Sequence, residues 1–271
     1  MNNSHIERLA ARLDDAAMNR QAIAQHTEQD GLSMDNAYQV QHALIARRIA
    51  RGHHRIGMKM GFTSRAKMAQ MSLSDLIWGL LTSDMLIEEG GSVSADKYVA
   101  PACEPELCFL LGKPLEGTVT PMQALAAVEA IAPAIELVDS RYENFKFSLA
   151  DVVADNTSAS GLVVGSWHAP DIDFANLGLL LTVNGRTVEL GSTAAVLGHP
   201  IRSLVAAARL AATMGERLEA GSLVMAGGIT AAVALAPGMN VRCEMQHLGS
   251  VGFSVTGSSV TGFSVTGKEA P

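Results

Sequence analysis

Residues 102–112 read ACEPELCFLLG, and the way this run folds decides the rest. Its apolar end, Cys108 to Leu111, belongs in a core, yet Glu104 and Glu106 stand at its mouth. In a strand successive side chains alternate between faces, so the two carboxylates share one face roughly 7 Å apart. Like charges held so close on a half-buried face repel unless something positive sits between them. The flanks supply nothing positive, because no Lys or Arg lies between Lys97 and Lys113. Pro105, between the two glutamates, cannot donate a ladder hydrogen bond, which predicts an edge strand or a bulge. Bulges re-aim side chains into sites. By itself a Glu-x-Glu pair describes an ordinary solvated sheet face; these flanks are what argue for more. Cys103 and Cys108 fall on opposite faces of the strand and cannot form one site.

A third carboxylate stands in similar company. Glu136 in APAIELVDS, residues 132–140, lies between Ile135 and Leu137 on a run that reads as a buried strand. Glutamate is seldom buried unless it is paired or binds a metal. Three carboxylates from two strands, with positions left for water or substrate, suit Mg²⁺ or Mn²⁺; the set has no soft ligand to favour Zn²⁺ or copper. Lys59, in GMKMGFTS, is flanked by Met58, Met60 and two glycines. Such a lysine either extends to solvent along its apolar stem or, buried beside a carboxylate-held metal, stays cationic as an anchor or acid/base group.

Outward from these residues, the chain reads as α+β. Ile6, Leu9, Ala10 and Leu13 keep helical spacing over residues 4–20, and a second helix runs from a cap at Ser33 to Gly52. HHRIGMKMGFTS is a short alternating strand. RAKMAQMSLSDLIWGLL, residues 65–81, has a Met-rich helical period in which Met68 and Met71 are packing residues. From about residue 85 short strands dominate, interrupted by a helix over PMQALAAVEAIA (121–132), which precedes the strand PAIELVDSRY. Asn184-Gly185 in LLLTVNGRTVELG marks a hairpin. An Ala-rich helix closes at Gly215, GSLVMAGGITAAVAL makes two strands around a Gly-Gly bend, and NVRCEMQHLGSVGFSVTG ends in strand pairs. The expected division is a helical N-terminal portion with the lysine-bearing strand (1–84), a β-rich catalytic domain (85–257) and a disordered tail (258–271), whose Val-Thr-Gly echoes at 255, 260 and 265 pack no obvious face.

Bulk properties narrow the partners. The 271 residues are 48% hydrophobic and 17% charged, enough apolar material for a sizeable core. A net charge of −7 and an aromatic content of 4% argue against nucleic acid. Apolar runs stop well short of the about 18 residues of a membrane span. Three cysteines without zinc-type spacing, and an N-terminus that reads as a mixed-charge helix instead of an export signal, point to a reducing cytosol. GMKMG and MAGG lack the spacing of a phosphate-binding loop. His53, His54 and His199 read as structural.

Taken in order, GMKMGFTS, EPELCFLL, PAIELVDSRY, DVVADNTSASGLVVG, AAVLGHP and GSLVMAGGITAAVALAPG resemble the hydratase/decarboxylase branch of the fumarylacetoacetate-hydrolase superfamily over roughly residues 5–256. The resemblance implies a mixed β-roll core with helices outside, a Mg²⁺ or Mn²⁺ site and a homo-oligomer. It places the metal ligands on Glu104, Glu106 and Glu136 and the active-site lysine on Lys59. Substrate-facing polar positions fall on Asp155, Asn156 and Ser160, and the glycine-rich bend on Gly227, Gly228 and Thr230.

The implied reaction is decarboxylation of 2-oxohex-3-enedioate, a vinylogous β-keto acid that loses its C6 carboxylate to give 2-hydroxypenta-2,4-dienoate in the meta-cleavage of aromatics. Its texture within the branch, VDSRYENFKFSLADVVADN and GGITAAV, favours this over the sister hydratase, which adds water to the five-carbon dienol. A C–C hydrolase would want a His-Glu activated water. A non-catalytic partner of the hydratase would have lost its carboxylates. A complex with that hydratase is implied in either event. Arg141 and Lys146 are candidates to hold the distal carboxylate, unless they form a solvated turn with Glu143. Met58, Met60, Leu76 or Ile77 are candidates for an apolar wall around it.

Overall fold

The computed structural model describes residues 1–25, 32–64, 68 and 76–258. Helix α1 (Asn3–Asn19) starts at Asn2, whose side chain accepts from His5 N–H, and α2 (Met34–Ala50) starts at Ser33, which accepts from Asn36 N–H. Ile6, Leu9, Ala10 and Leu13 pack against Ala37, Val40 and Leu44. Asp14 ties the two helices together through Arg47 and Arg51.

The strands follow: β1 (Arg55–Gly61), β2 (Ile77–Thr82), β3 (Leu86–Ile87), β4 (Ser92–Ser94) and β5 (Pro101–Leu111). After helix α3 (Pro121–Ala127) come β6 (Val128–Asp139), helix α4 (Leu149–Ala154) and β7 (Ala159–Val164). The chain continues through β8 (Gly178–Val183), β9 (Arg186–Ser192), helix α5 (Ile201–Thr213), β10 (Leu223–Met225), β11 (Val233–Ala234), β12 (Asn240–Met245) and β13 (Gly249–Thr256).

Eight strands form one sheet in the order β2-β1-β10-β5-β6-β7-β3, with β11 also on β5; the others form a second sheet in the order β4-β13-β12-β8-β9. The lysine-bearing strand is thus integral to the sheet that carries the glutamates. Alternation sorts its side chains. Cys103, Leu107, Phe109 and Leu111 of β5, with Ile135 and Leu137 of β6, enter a large core completed by α5 (Leu204, Ala207, Ala208) and the second sheet (Val241, Cys243, Phe253). The opposite face gathers Leu81, Cys108, Ala134, Leu162 and Met225 into a separate apolar cluster. Leu81 belongs to β2 and Leu162 to β7, near opposite ends of the strand order, so the sheet curls into a roll with this cluster inside. The expected α+β roll is what the chain forms.

Several local expectations need correcting. β5 is a central strand, and its register runs unbroken past Pro105, with a shift only between Leu110 and Leu111. Pro105 is tolerated because its missing N–H faces the gap between β10 and β11, where Ile229 N–H reaches the Pro105 carbonyl. Residues 77–81 are strand, not helix: all six residues of β2 are buried, so no period distinguished the two. The rest of that expected helix, with Met71, lies outside the described residues, whereas Met68 packs on the large core. The helix over 121–132 stops at Ala127, because Val128 and Ile131 gain burial by pairing with β5. The Asn184-Gly185 hairpin forms as expected, with φ of 50° and 76°. Of the expected tail, residues 259–271 lie outside the described residues.

Candidate metal centre

The strand register builds the site. Glu104 on β5 stands directly opposite Glu136 on β6, and Glu106 lies two residues further on the same face. One carboxylate oxygen from each lies within 4.8 Å of the others. Lys59 enters from β1, across β10, and its Nζ is 3.1 Å from Glu136 Oε1. Lys59, Glu106 and Glu136 are buried, while Glu104 is half-buried toward the open end.

The glycine-rich bend presses on this cluster. Gly227 N–H donates to Glu106 Oε2 at 2.7 Å. Its φ of +114° and the 2.1 Å from a would-be Cβ to Thr63 Oγ1 leave room only for glycine. A Cβ on Gly228 would stand 2.8 Å from Glu104 Oε2. Glu106 Oε1 and Glu136 Oε2 are buried without a hydrogen-bond partner, while Glu136 Oε1 meets the Lys59 ammonium. Buried carboxylate oxygens left this way are costly unless something cationic meets them.

Electrostatics agree. Burial pushes Glu106 well above the usual carboxylate range, with repulsion from Glu136 added, against the pull of Lys59 and the Gly227 N–H. Burial likewise raises Glu136 to about 7, although Lys59 opposes it. For Lys59 burial works against the charge, but Glu136, Glu104 and Glu106 outweigh it and raise its pKa. Three carboxylates and one ammonium sum to −2 when all are charged, and a hard divalent cation balances that sum. The donor set and its orphaned oxygens therefore fit Mg²⁺. Gly228→Ala is expected to push Glu104 aside and weaken Mg²⁺ binding about 10- to 100-fold, the range for disturbing a ligand's support. The metal-free fold should barely change, because Glu104 yields at the end of a flexible side chain; calorimetric titration and melting curves check both parts.

The remaining candidates fall into other places. Arg141 is buried, not part of a solvated turn. Its guanidinium contacts the Asp155 carboxylate, donates to the Asp155 carbonyl at 2.6 Å and reaches Ser160 Oγ at 2.8 Å. Burial pushes Asp155 up to about 6 despite this arginine. Asn156 pairs with the backbone of Leu80, accepting from its N–H at 2.8 Å and donating to its carbonyl at 2.9 Å. Thr157 Oγ1 donates to the Trp78 carbonyl at 2.7 Å. Asn156, Thr157 and Ser158 all have left-handed φ, 51° to 58°, and such residues cost roughly 1 kcal/mol or more apiece. Only a surrounding that fixes the turn sustains three in a row. Lys146 is exposed in the loop after β6, and Thr230 donates to the Ala231 carbonyl beside Gly191.

Met58 and Met60 do not wall the site: alternation on β1 turns them into the large core, opposite Lys59. Leu76 joins that core, and Ile77 packs with the N-terminal helices. Thr63, Gln41 and Gly79 were not singled out in the sequence. Gly79 alone left a signal there, as a glycine interrupting the run Ile77–Leu81.

A rolled mixed sheet with a carboxylate triad and a buried lysine at one end defines the class. The chain belongs to the fumarylacetoacetate hydrolase family, whose C-terminal model matches residues 53–256. It is 62% identical over 252 residues to a 4-oxalocrotonate decarboxylase of a Pseudomonas species, covering 93% of this chain and 98% of the relative. The solved structure of 4-oxalocrotonate decarboxylase from Pseudomonas putida G7, complexed with magnesium and adipate, matches at a TM-score of 0.91 and 39% identity, over 94% of this chain and 98% of that one. A 2-oxo-hept-4-ene-1,7-dioate hydratase of Escherichia coli is 31% identical over 253 residues, 90% of this chain and 95% of the relative.

Proposed function

We propose that this protein is a Mg²⁺-dependent carboxy-lyase that converts 2-oxohex-3-enedioate (4-oxalocrotonate) into 2-hydroxypenta-2,4-dienoate and CO₂ in the meta-cleavage catabolism of aromatics. The observation that carries the reading is the buried cluster of Glu104, Glu106 and Glu136 with Lys59 against it, in a chain 62% identical to a decarboxylase of that name. Adipate, bound by the related solved structure, is a six-carbon diacid like the proposed substrate.

Glu104, Glu106 and Glu136 hold the metal in this reading. When bound, Mg²⁺ supplies Lewis acidity toward the C1 carboxylate and C2 oxygen of a 2-oxo acid. Lys59 keeps its proton and adds positive charge where electron density from the breaking C5–C6 bond collects, on the C2 oxygen. The Gly227 N–H fixes the orientation of Glu106, and Gly228 leaves Glu104 room to ligate. Lys146 meets the distal carboxylate from its exposed loop. Arg141 is already neutralised by Asp155, so Arg141, Asp155, Asn156 and Ser160 position the site instead of touching the substrate. Thr230 borders the bend without reaching into it. The protein works in the cytosol as a homo-oligomer and passes its dienol to a hydratase bound to it. Among the described residues no helix is long and apolar enough to cross a membrane.

The test is direct. Metal-free protein given 2-oxohex-3-enedioate should release no CO₂ above background, and Mg²⁺ should restore one CO₂ per diacid consumed. Hydration of the five-carbon dienol without CO₂ release from the diacid would make the chain a hydratase.

A further inference from the structure

The roll comes round where β3, one short turn after β2, pairs with β7 through Leu86–Leu162 and Ile87–Val163. Along β2 itself no ladder among the described residues covers the outer edge, and its outward backbone groups are met by side chains instead. Asn156 takes both the N–H and the carbonyl of Leu80. Thr157 Oγ1 and Gln41 Nε2 both donate to the carbonyl of Trp78, at 2.7 and 2.9 Å. The amide of Asn156 thus does for β2 what a neighbouring strand would do.

The same turn presses on the lysine strand. Lys59 is paired across the ladder with Gly79, and Gly61 is its next neighbour on the same face. A Cβ on Gly79 would stand 2.5 Å from the Asn156 carbonyl oxygen, and one on Gly61 would stand 2.9 Å from Thr157 Cγ2. Both glycines therefore exist as close approaches of the turn to β1 and β2. The left-handed residues fill the space beside Lys59 on the side away from the carboxylates. From there its side chain extends across the interior to Glu136.

We infer that the turn Asn156–Thr157–Ser158 is a latch on the free edge of β2, and that Asn156 is a positioning residue which, through Leu80 and Gly79, holds Lys59 over the metal centre. This rests on the proposed role of Lys59, but the latch can be read apart from turnover. Asn156 touches none of the three glutamates by any hydrogen bond or ion pair among the described residues.

In Asn156→Ala, hydrogen exchange of the Leu80 amide should speed up about 100-fold as the latch opens locally. Calorimetric Mg²⁺ affinity should stay within about threefold, while kcat for CO₂ release falls about 30-fold and KM rises about tenfold, as expected for a misplaced charge of about 1 Å. Affinity of the Mg²⁺-loaded protein for adipate should fall about tenfold, an effect of Lys59 placement that needs no turnover. Gly79→Ala, which pushes the turn from the opposite side and leaves its side chains intact, should repeat the pattern. If Asn156→Ala does not fold, Thr157→Val loses only the bond to the Trp78 carbonyl and carries the Mg²⁺, kcat and adipate measurements. A freed Leu80 amide with unchanged kcat and adipate affinity would overturn the latch, as would Mg²⁺ affinity falling in step with kcat. Wild-type protein that releases no CO₂, but whose adipate affinity still falls about tenfold in Asn156→Ala, would sink the proposed reaction and leave the latch standing.

Discussion

Glu106→Gln is expected to lower CO₂ release about a thousandfold, equivalent to about 4 kcal/mol at 1.36 kcal/mol per decade, because it removes one of three metal ligands. It should also abolish the rise in melting temperature that Mg²⁺ gives the wild type. Without metal the same substitution should leave the protein as stable as wild type, or more so. The reason is the crowding: burial and the Glu136 charge already hold Glu106 far above its usual pKa. Glutamine keeps an acceptor for the Gly227 N–H and removes the repulsion.

The pH dependence has a definite sign. A carboxyl whose folded pKa lies above its unfolded value binds more protons in the folded state, so its contribution is complete below the unfolded pKa and is lost as pH rises through the folded one. For Glu136 that window runs from the ordinary 4.5 up to about 7. Metal-free wild type should lose stability across this range, by a few kcal/mol at most. Glu106→Gln should flatten the loss. With saturating Mg²⁺ the trend should shrink or reverse, because the ion binds the deprotonated form. Denaturant melts at pH 5 and 7.5, with and without Mg²⁺, measure all of this; a glutamine variant that still binds Mg²⁺ with wild-type affinity would remove Glu106 from the ligand set.

Lys59→Met should act in the opposite sense on the metal. Turnover falls about 100- to 1000-fold, comparable to losing one oxyanion-stabilising donor. Mg²⁺ affinity is held or improved, since a repelling cation has gone. Metal-free protein at pH 7.5 should be destabilised by about 3–5 kcal/mol, because breaking a buried pair leaves Glu136 uncompensated. Lowering the pH to 5 or adding Mg²⁺ should return much of that loss. Equal damage to Mg²⁺ binding in Lys59→Met and Glu106→Gln would mean that the lysine supports the ligands instead of the reaction.

Much of the candidate site could be read from residue types alone. Glu104 and Glu106 must share a strand face by alternation, and Glu136 between Ile135 and Leu137 advertises a buried carboxylate. The elements legible in advance were those fixed by local chemistry: the cap at Ser33, the Asn184-Gly185 turn, the stop at Gly215. Where local signals were degenerate the reading failed. Val128–Ala132 satisfies helix and strand alike, and Ile77–Leu81 is apolar on every face. Arg141 next to Glu143 and Lys146 suggests a surface turn until Asp155, fourteen residues on, comes to meet its guanidinium.

Sequence alone therefore determined the α+β class and the chemistry of the three glutamates, because periodicity and residue type act over a few residues; the fold family and the place of Lys59 in the site followed from the resemblance of the ordered motifs. Only the tertiary structure decided that Glu136 faces Glu104, that Lys59 rather than solvent meets Glu136, that Pro105 sits in mid-sheet, and that Asn156 is spent on Leu80. Each of these is a pairing between distant segments. Such pairings are selected by strand register and by the curl of the sheet, which bury the whole set at once, and no local run of residues encodes that choice.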